Sequence, residues 1–219
     1  MFNELVKDML IQGTKDTIYM TLVSTFFGYL VGLPIGILLT TSDKDGIAPC
    51  PVLYRILDFI VNIVRSVPFL ILLILVIPLT KFLVGQSYGT KGTIVPLTIA
   101  AAPFIARMIE SSLKEVDKGV VEAAASMGAK DITIVFSVLI PEARTSLIIN
   151  LTIALGTILG YSAMAGAVGG GGLGDIAIRY GYYRYQTDIM IVTIIILVVL
   201  VQLLQGIGMF IAKRLDHRR

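Results

Sequence analysis

One cysteine, one histidine and no tryptophan are found among 219 residues. With Cys50 alone, neither an internal disulfide nor a thiolate metal cluster can form. His217 lies in a basic tail and reads as a solvated residue, not as a metal ligand or a general base. No serine–histidine pair or histidine–carboxylate cluster can be built around it. Gly-Lys, the core of a Walker A loop, occurs nowhere among the 21 glycines. Charged residues are also scarce: they make up 15% of the chain, against about a quarter in a soluble domain. The net charge of +3 is too small and scattered to suggest nucleic acid. These absences exclude ATP hydrolysis by the chain itself and leave no candidate catalytic residue, cofactor site or metal site.

What is present is apolar sequence in long blocks. Hydrophobic residues make up 56% of the chain and the mean hydropathy is +0.87, without the short alternation of a soluble fold. The expected fold is all-α, a polytopic membrane protein forming one domain over 1–219. Bilayer-length runs occur at about 17–41, 56–80, 94–113, 145–168 and 188–212. The third carries Pro96 and Pro103 and ends at Arg107 and Glu110. The start of the chain, with Glu4, Lys7, Asp8, Lys15 and Asp16, lacks the basic opening and cleavage site of a signal peptide, so no removed leader is expected. Five spans place eleven lysines and arginines on one side, among them Lys44, Arg107, Lys130 and Lys213, and six on the other. By the positive-inside rule the N-terminus is expected outside and the C-terminus in the cytoplasm.

The spans carry packing signals. Gly28, Gly32 and Gly36 form two overlapping G-x-x-x-G units, and Thr152, Gly156 and Gly160 repeat the spacing in the fourth span. Small residues four apart stack on one helix face and let backbones approach. Asp58, Asn62 and Arg65 share a face of the second span, which reads as an interhelix bond near the cytoplasmic edge more readily than as a substrate contact. No acid lies mid-membrane in the third, fourth or fifth run, which argues against a proton relay. The stretch Gly169–Gly174 matches G-x-G-x-x-G, but it follows a span and no βαβ unit surrounds it. It reads as an outer-side turn where flexible backbone meets a neighbour or a permeant solute.

Between the third and fourth spans the chain leaves the membrane over about 114–143. Asp117 can cap a helix running to about Met127, and Gly128 stands where a left-handed C-terminal cap belongs. Asp131 can cap a second segment with Ile132, Val135, Phe136 and Leu139 on one helical face. The same residues also alternate like a strand, and a helix is favoured because no sheet is available for a strand to join. Pro141 suits the first turn of a helix leading into the fourth span.

Glu122-Ala123-Ala124, with Gly128 six positions after the glutamate and Leu139-Ile140-Pro141 at the end, resembles the EAA loop of ABC importer permeases. The stretches 65–80, 92–110 and 160–182 resemble the methionine-importer branch of that family in particular, which has a minimal five-span core. Ile140 stands where leucine is common before the proline. The resemblance implies a type I importer permease acting as a homodimer in a bacterial inner membrane, with two cytoplasmic ATP-binding subunits and an extracytoplasmic methionine-binding lipoprotein. ATP and Mg would then be bound by the partner subunits, and the substrate would be D- and L-methionine. Glu122, Ala123, Ala124, Ala125, Met127, Gly128 and Ala129 are implied contacts with the ATPase. The outer end of the fourth span, with Tyr161, Ser162 and Met164, is implied in the translocation pathway. A permease for another amino acid, a secondary transporter or channel, and a passive anchor for an ATPase are the rival readings.

Overall fold

The computed structural model describes residues 4–215, and His217, Arg218 and Arg219 of the basic tail lie outside the described residues. Eleven α-helices follow one another: α1 (Glu4–Ser42), α2 (Pro51–Ser66), α3 (Phe69–Leu75), α4 (Ile77–Val84), α5 (Gly89–Lys114), α6 (Lys118–Ser126), α7 (Asp131–Ile134), α8 (Ile140–Glu142), α9 (Arg144–Ala165), α10 (Gly172–Ile176) and α11 (Thr187–Leu215). Wider helical turns at Val135–Leu139 and Ala177–Tyr182 and a tighter one at Gly166–Val168 join some of them. Among the described residues there is no strand. The fold is all-α. Among the described residues four stretches are long and apolar enough to cross a bilayer, or five if α2 and α3, bent by 102° at their break, count as one span.

The run over 56–80, expected as one span, is carried by α2, α3 and the start of α4, with the sharp bend between α2 and α3. The break falls at Val67 and Pro68, with Val67 extended at φ −78°, ψ 123°. Proline pushes the preceding residue out of the helical region and has no N–H to donate, so α2 stops there. Pro96 and Pro103 act differently. Both are buried inside an unbroken α5. Enclosure by neighbouring helices lets a spanning helix tolerate proline.

The core forms around α5, which packs against α1, α2, α3, α4 and α9. Leu97, Ala101, Ile105 and Ile109 of α5 are buried with Met20 of α1 and Ile158 of α9. On α1 the buried stripe is made of small residues. A methyl built on Gly28 would stand 2.7 Å from Ala101 Cβ, and one on Gly32 2.7 Å from the Ala102 carbonyl oxygen. Without side chains on this stripe, α1 and α5 meet almost backbone to backbone, and close van der Waals contact holds them together.

Helix α11 packs on α9. A methyl on Gly208 would collide with Thr152, and one on Gly156 would stand 2.9 Å from the Gln205 amide nitrogen. Gly160, expected on the same packing face as Gly156, has nothing within 4 Å and is open in this subunit. Only Ile189, Thr193 and Ala212 of α11 are buried, and its exposed isoleucines, valines and leucines suit a hydrocarbon surround.

Candidate functional site

The segment between α5 and α9 is helical throughout most of its length. The Asp117 carboxylate accepts a 2.7 Å hydrogen bond from the Gly119 N–H and caps α6. At the other end Gly128 has φ +81°, where an L side chain would clash with its own backbone. Gly128 N–H donates to the Ala125 carbonyl at 2.9 Å, and Ala129 N–H donates to Ala124 at 3.2 Å. This paired closure is the Schellman motif, which ends a helix and turns the chain away in one residue.

Glu122, Ala123, Ala125, Met127 and Gly128 are exposed, Met127 to 82%. Ala124, expected at a partner surface, is turned inward and buried in the core, because the side of α6 facing the bundle must be covered. Ala129 is half-buried against the same core. Cap and face assignments in the second segment also change. Lys130 is the N-cap residue of α7 and makes no side-chain capping bond, while Asp131 is the first residue inside the helix. Ile134, Val135 and Leu139 point into the core, whereas Ile132 and Phe136 are exposed. The wide turn over Val135–Leu139 adds residues to each rotation and separates side chains that a regular helix would align. Val120 of α6 and Met127 at its C-terminal end are exposed apolar side chains as well.

A chain of ion pairs ties this end of the bundle together. Asp58 of α2 pairs with Arg107 of α5, Arg107 with Glu110 at 2.6 Å, and Glu110 with Lys114 at 2.8 Å. Lys114 Nζ reaches Asp43, just beyond α1, at 2.6 Å. Lys114 holds the Asp43 carboxyl below its ordinary value, chiefly by this hydrogen bond, against a smaller opposing effect of burial and with help from the Lys44 N–H. Asn62 completes the cluster, donating to Asp58 at 3.1 Å and accepting from Arg107 at 3.0 Å. The partner that α2 needed was Arg107. Arg65 is exposed and takes no part. Next to this chain a cleft of about 510 Å³ opens between the α1–α2 connection and α6, with Asp43, Lys114, Lys118 and Glu122 among its walls.

At the far end of α9, Tyr161 stacks on Phe69 of α3 with centroids 4.7 Å apart and planes 4° apart. Ser162 is 1% exposed and donates its hydroxyl hydrogen bond to the Leu159 carbonyl, so within this subunit it cannot meet a solute. Met164 lies on the other face and is 52% exposed. The glycine-rich stretch then folds back between α1 and α5. Gly89 N–H donates to the Gly169 carbonyl at 2.9 Å, Thr93 Oγ1 to the Gly170 carbonyl at 3.0 Å, and Leu173 N–H to Thr17 Oγ1 at 2.9 Å. Its backbone is mostly buried and is used on protein neighbours.

An all-helical bundle with four or five bilayer-length segments and a capped helical module projecting from one end defines a polytopic membrane protein built to engage a partner outside the bilayer. The chain belongs to the family of binding-protein-dependent transport system inner membrane components, whose model matches residues 32–218. It is 51% identical to the "Probable D-methionine transport system permease protein MetI" of Vibrio cholerae, over 96% of this chain and 94% of that protein. It is 49% identical to the D-methionine transport system permease protein MetI of Escherichia coli K12, over 72% of this chain and 73% of that one. A chain of the inward-facing MetNI methionine ABC transporter superposes with a TM-score of 0.97 at 46% identity, covering 99% of this chain and 100% of that chain. An amino acid ABC transporter crystallised with histidines shares the fold at a TM-score of 0.78 and 23% identity, covering 95% and 94%. The fold is thus the type I ABC importer permease fold, and the chain is an inner-membrane permease, not itself an ATPase.

Proposed function

We propose that this chain is the permease subunit of an ATP-driven importer that carries methionine, as both D and L forms, across the bacterial inner membrane. The observation that carries the reading is the full-length match to the methionine transporter chain, at a TM-score of 0.97 and 46% identity. In the working assembly two copies of the chain pair, two ATP-binding subunits sit on the cytoplasmic side, and an extracytoplasmic lipoprotein delivers the amino acid. ATP and Mg belong to the partner subunits, and the chain itself needs no cofactor. The N-terminus lies outside and the C-terminus in the cytoplasm, which puts α6 on the cytoplasmic side.

In this reading α6 is the coupling helix. Met127 and the exposed methyls of Ala123 and Ala125 enter a groove of the ATPase, Glu122 supplies a charged contact, and Gly128 and Ala129 set the angle at which the helix projects. ATP binding closes the ATPase pair and moves the two modules, and the bundles rock between outward- and inward-facing states. Each state is favoured by what binds it more tightly. Met164, at the open face of α9, narrows the path at the dimer axis, where a thioether yields to a passing side chain.

The test is reconstitution with the ATP-binding subunit and the binding protein in sealed vesicles. Labelled methionine should accumulate with ATP and fail to accumulate when the ATPase is left out. Accumulation without ATP would replace the importer by a secondary transporter or channel. Preferential uptake of a different amino acid would replace the substrate.

A further inference from the structure

Helix α2 has three faces. At 100° per residue, Leu57, Val61 and Tyr54 fall on one flank, and these pack on Leu39 of α1 and Ala106 of α5. Ile56, Ile60 and Ile63 fall on the far flank and are each about half exposed. On one side of the helix, between these flanks and within an arc of about 100°, lie Arg65, Asp58, Asn62, Arg55 and Ser66. A groove of about 650 Å³ follows this arc, lined by Arg55, Asp58, Asn62 and Ser66 and bordered by Phe59 and Ile63.

One helix that exposes an isoleucine flank and a polar arc side by side must face two media. The isoleucines suit hydrocarbon. Two arginines, a carboxylate, an amide and a hydroxyl do not, because ionisable groups at membrane depth are held by protein or by water. Part of the arc is held by protein, since Asp58 and Asn62 engage Arg107. Ser66 donates to the Asn62 carbonyl at 2.8 Å, but among the described residues no carboxylate pairs with Arg55 or Arg65. Arg55, unpaired, therefore shares a groove with a carboxylate, apolar side chains form the groove's edge, and Arg65, also without a carboxylate partner, lies on the same arc just outside its lining. That arrangement complements a zwitterion carrying an apolar side chain.

We infer that the polar arc of α2 is a wall of the water-filled transport pathway and holds the head group of the amino acid in transit. Arg65 and Arg55 take the carboxylate. The open lone pairs of Asp58, with Asn62 beside them, take the ammonium. Phe59 and Ile63 receive the side chain. The inference rests on the importer reading, and two measurements on the assembled complex in lipid nanodiscs separate it from that reading. The first uses single cysteines in a Cys50→Ser chain and a charged, membrane-impermeant maleimide. Ser66→Cys should react about ten-fold faster than Ile60→Cys, as a wet site does beside a lipid-facing one. Equal rates would overturn the wet wall whatever the substrate is.

The second measurement returns the complex to sealed vesicles and compares Arg65→Gln with Arg65→Lys. Loss of a charge-assisted bond to the carboxylate should lower methionine uptake by Arg65→Gln about ten-fold, and Arg65→Lys should restore most of it. ATP hydrolysis stimulated by loaded binding protein should persist in both. Wild-type uptake in Arg65→Gln, or a parallel loss of stimulated hydrolysis, would overturn the head-group contact. Failure of the wild-type complex to import methionine would instead remove the importer reading, and the labelling would still decide whether the arc is wet.

Discussion

Gly36 of α1 and Ala106 of α5 meet with no side chain between them: a methyl built on Gly36 would stand 2.7 Å from the Ala106 carbonyl oxygen and 2.7 Å from Ile109 Cβ. The obstructing carbonyl belongs to a buried helix backbone and cannot step aside. Gly36→Val should therefore cost about 1–3 kcal/mol by overpacking, seen as a fall of several degrees in thermal unfolding of the purified subunit. Gly160→Ala, placed in open space, should leave that midpoint unchanged. Equal midpoints for Gly36→Val and wild type would mean that the helices separate more easily than this contact implies.

Gly128 calls for a different substitution effect. Nothing lies within 4 Å of its would-be Cβ, so the cost of Gly128→Val is conformational, about 1 kcal/mol or more for a left-handed residue. Insertion of the spans should survive while α6 loses its angle. Co-purification of the ATP-binding subunit and methionine uptake should both fall, and normal values of both at normal abundance would remove α6 from coupling.

Orientation can be read from labelling. A cysteine placed between Gly85 and Thr90 should react with an impermeant reagent added to intact cells or spheroplasts, and one at Lys130 should not. The reverse pattern would invert the topology and take the partner assignment with it.

Met164→Ala tests the pathway at the other end of α9. The exposed thioether should matter to transport rather than to subunit packing, so uptake should change, or basal hydrolysis should rise, in a complex that still assembles. Wild-type uptake and hydrolysis would leave Met164 as a gap-filler between helices.

The Asp43–Lys114 pair predicts an acid-side signature. Because the folded-state value of Asp43 lies below its ordinary 3.8, this group binds its proton less readily when folded than when unfolded. Its contribution to stability is complete above the unfolded value and is lost as pH falls from there through the folded one. Asp43→Asn should lower the unfolding midpoint near neutral pH and lessen its dependence on pH in that acidic window. Since 40% of the Lys114 side chain is exposed, the effect should be small and should shrink further in salt.

Features that depend on one residue's own backbone were the most legible in the sequence. The Asp117 cap and the turn at Gly128 follow from what an aspartate oxygen and a missing Cβ do locally. Long apolar runs likewise announced spanning helices wherever each helix crosses alone. What stayed hidden depends on position in three dimensions. Pro68 and Pro96 look alike in the chain, yet one bends the path by 102° and the other is absorbed, because only Pro96 is buried among neighbours. The match of Asp58 to Arg107, 49 positions apart, needs the crossing of α2 and α5, which periodicity along either helix does not contain. Ile132 and Phe136 left the expected face because the chain widens its turn at Val135, and the hydrophobic pattern carries no mark of that widening. Ser162 and Met164 did part as helical geometry requires, with the serine buried and the methionine exposed.

The polar stripe of α1 bears on the order of synthesis. Ser24 donates to the Ile94 carbonyl, 70 positions later in the chain, so α1 waits several seconds in the membrane at typical rates of roughly 5–20 residues per second before α5 exists. Thr17, Thr21 and Thr25 meanwhile need no other helix. Each donates its hydroxyl to the carbonyl four residues earlier, on Gly13, Thr17 and Thr21. The nascent helix thus satisfies its own threonines while its glycine groove stands empty. Only Ser24 among these residues depends on a partner not yet made, which lets the first span rest in lipid until its neighbour arrives.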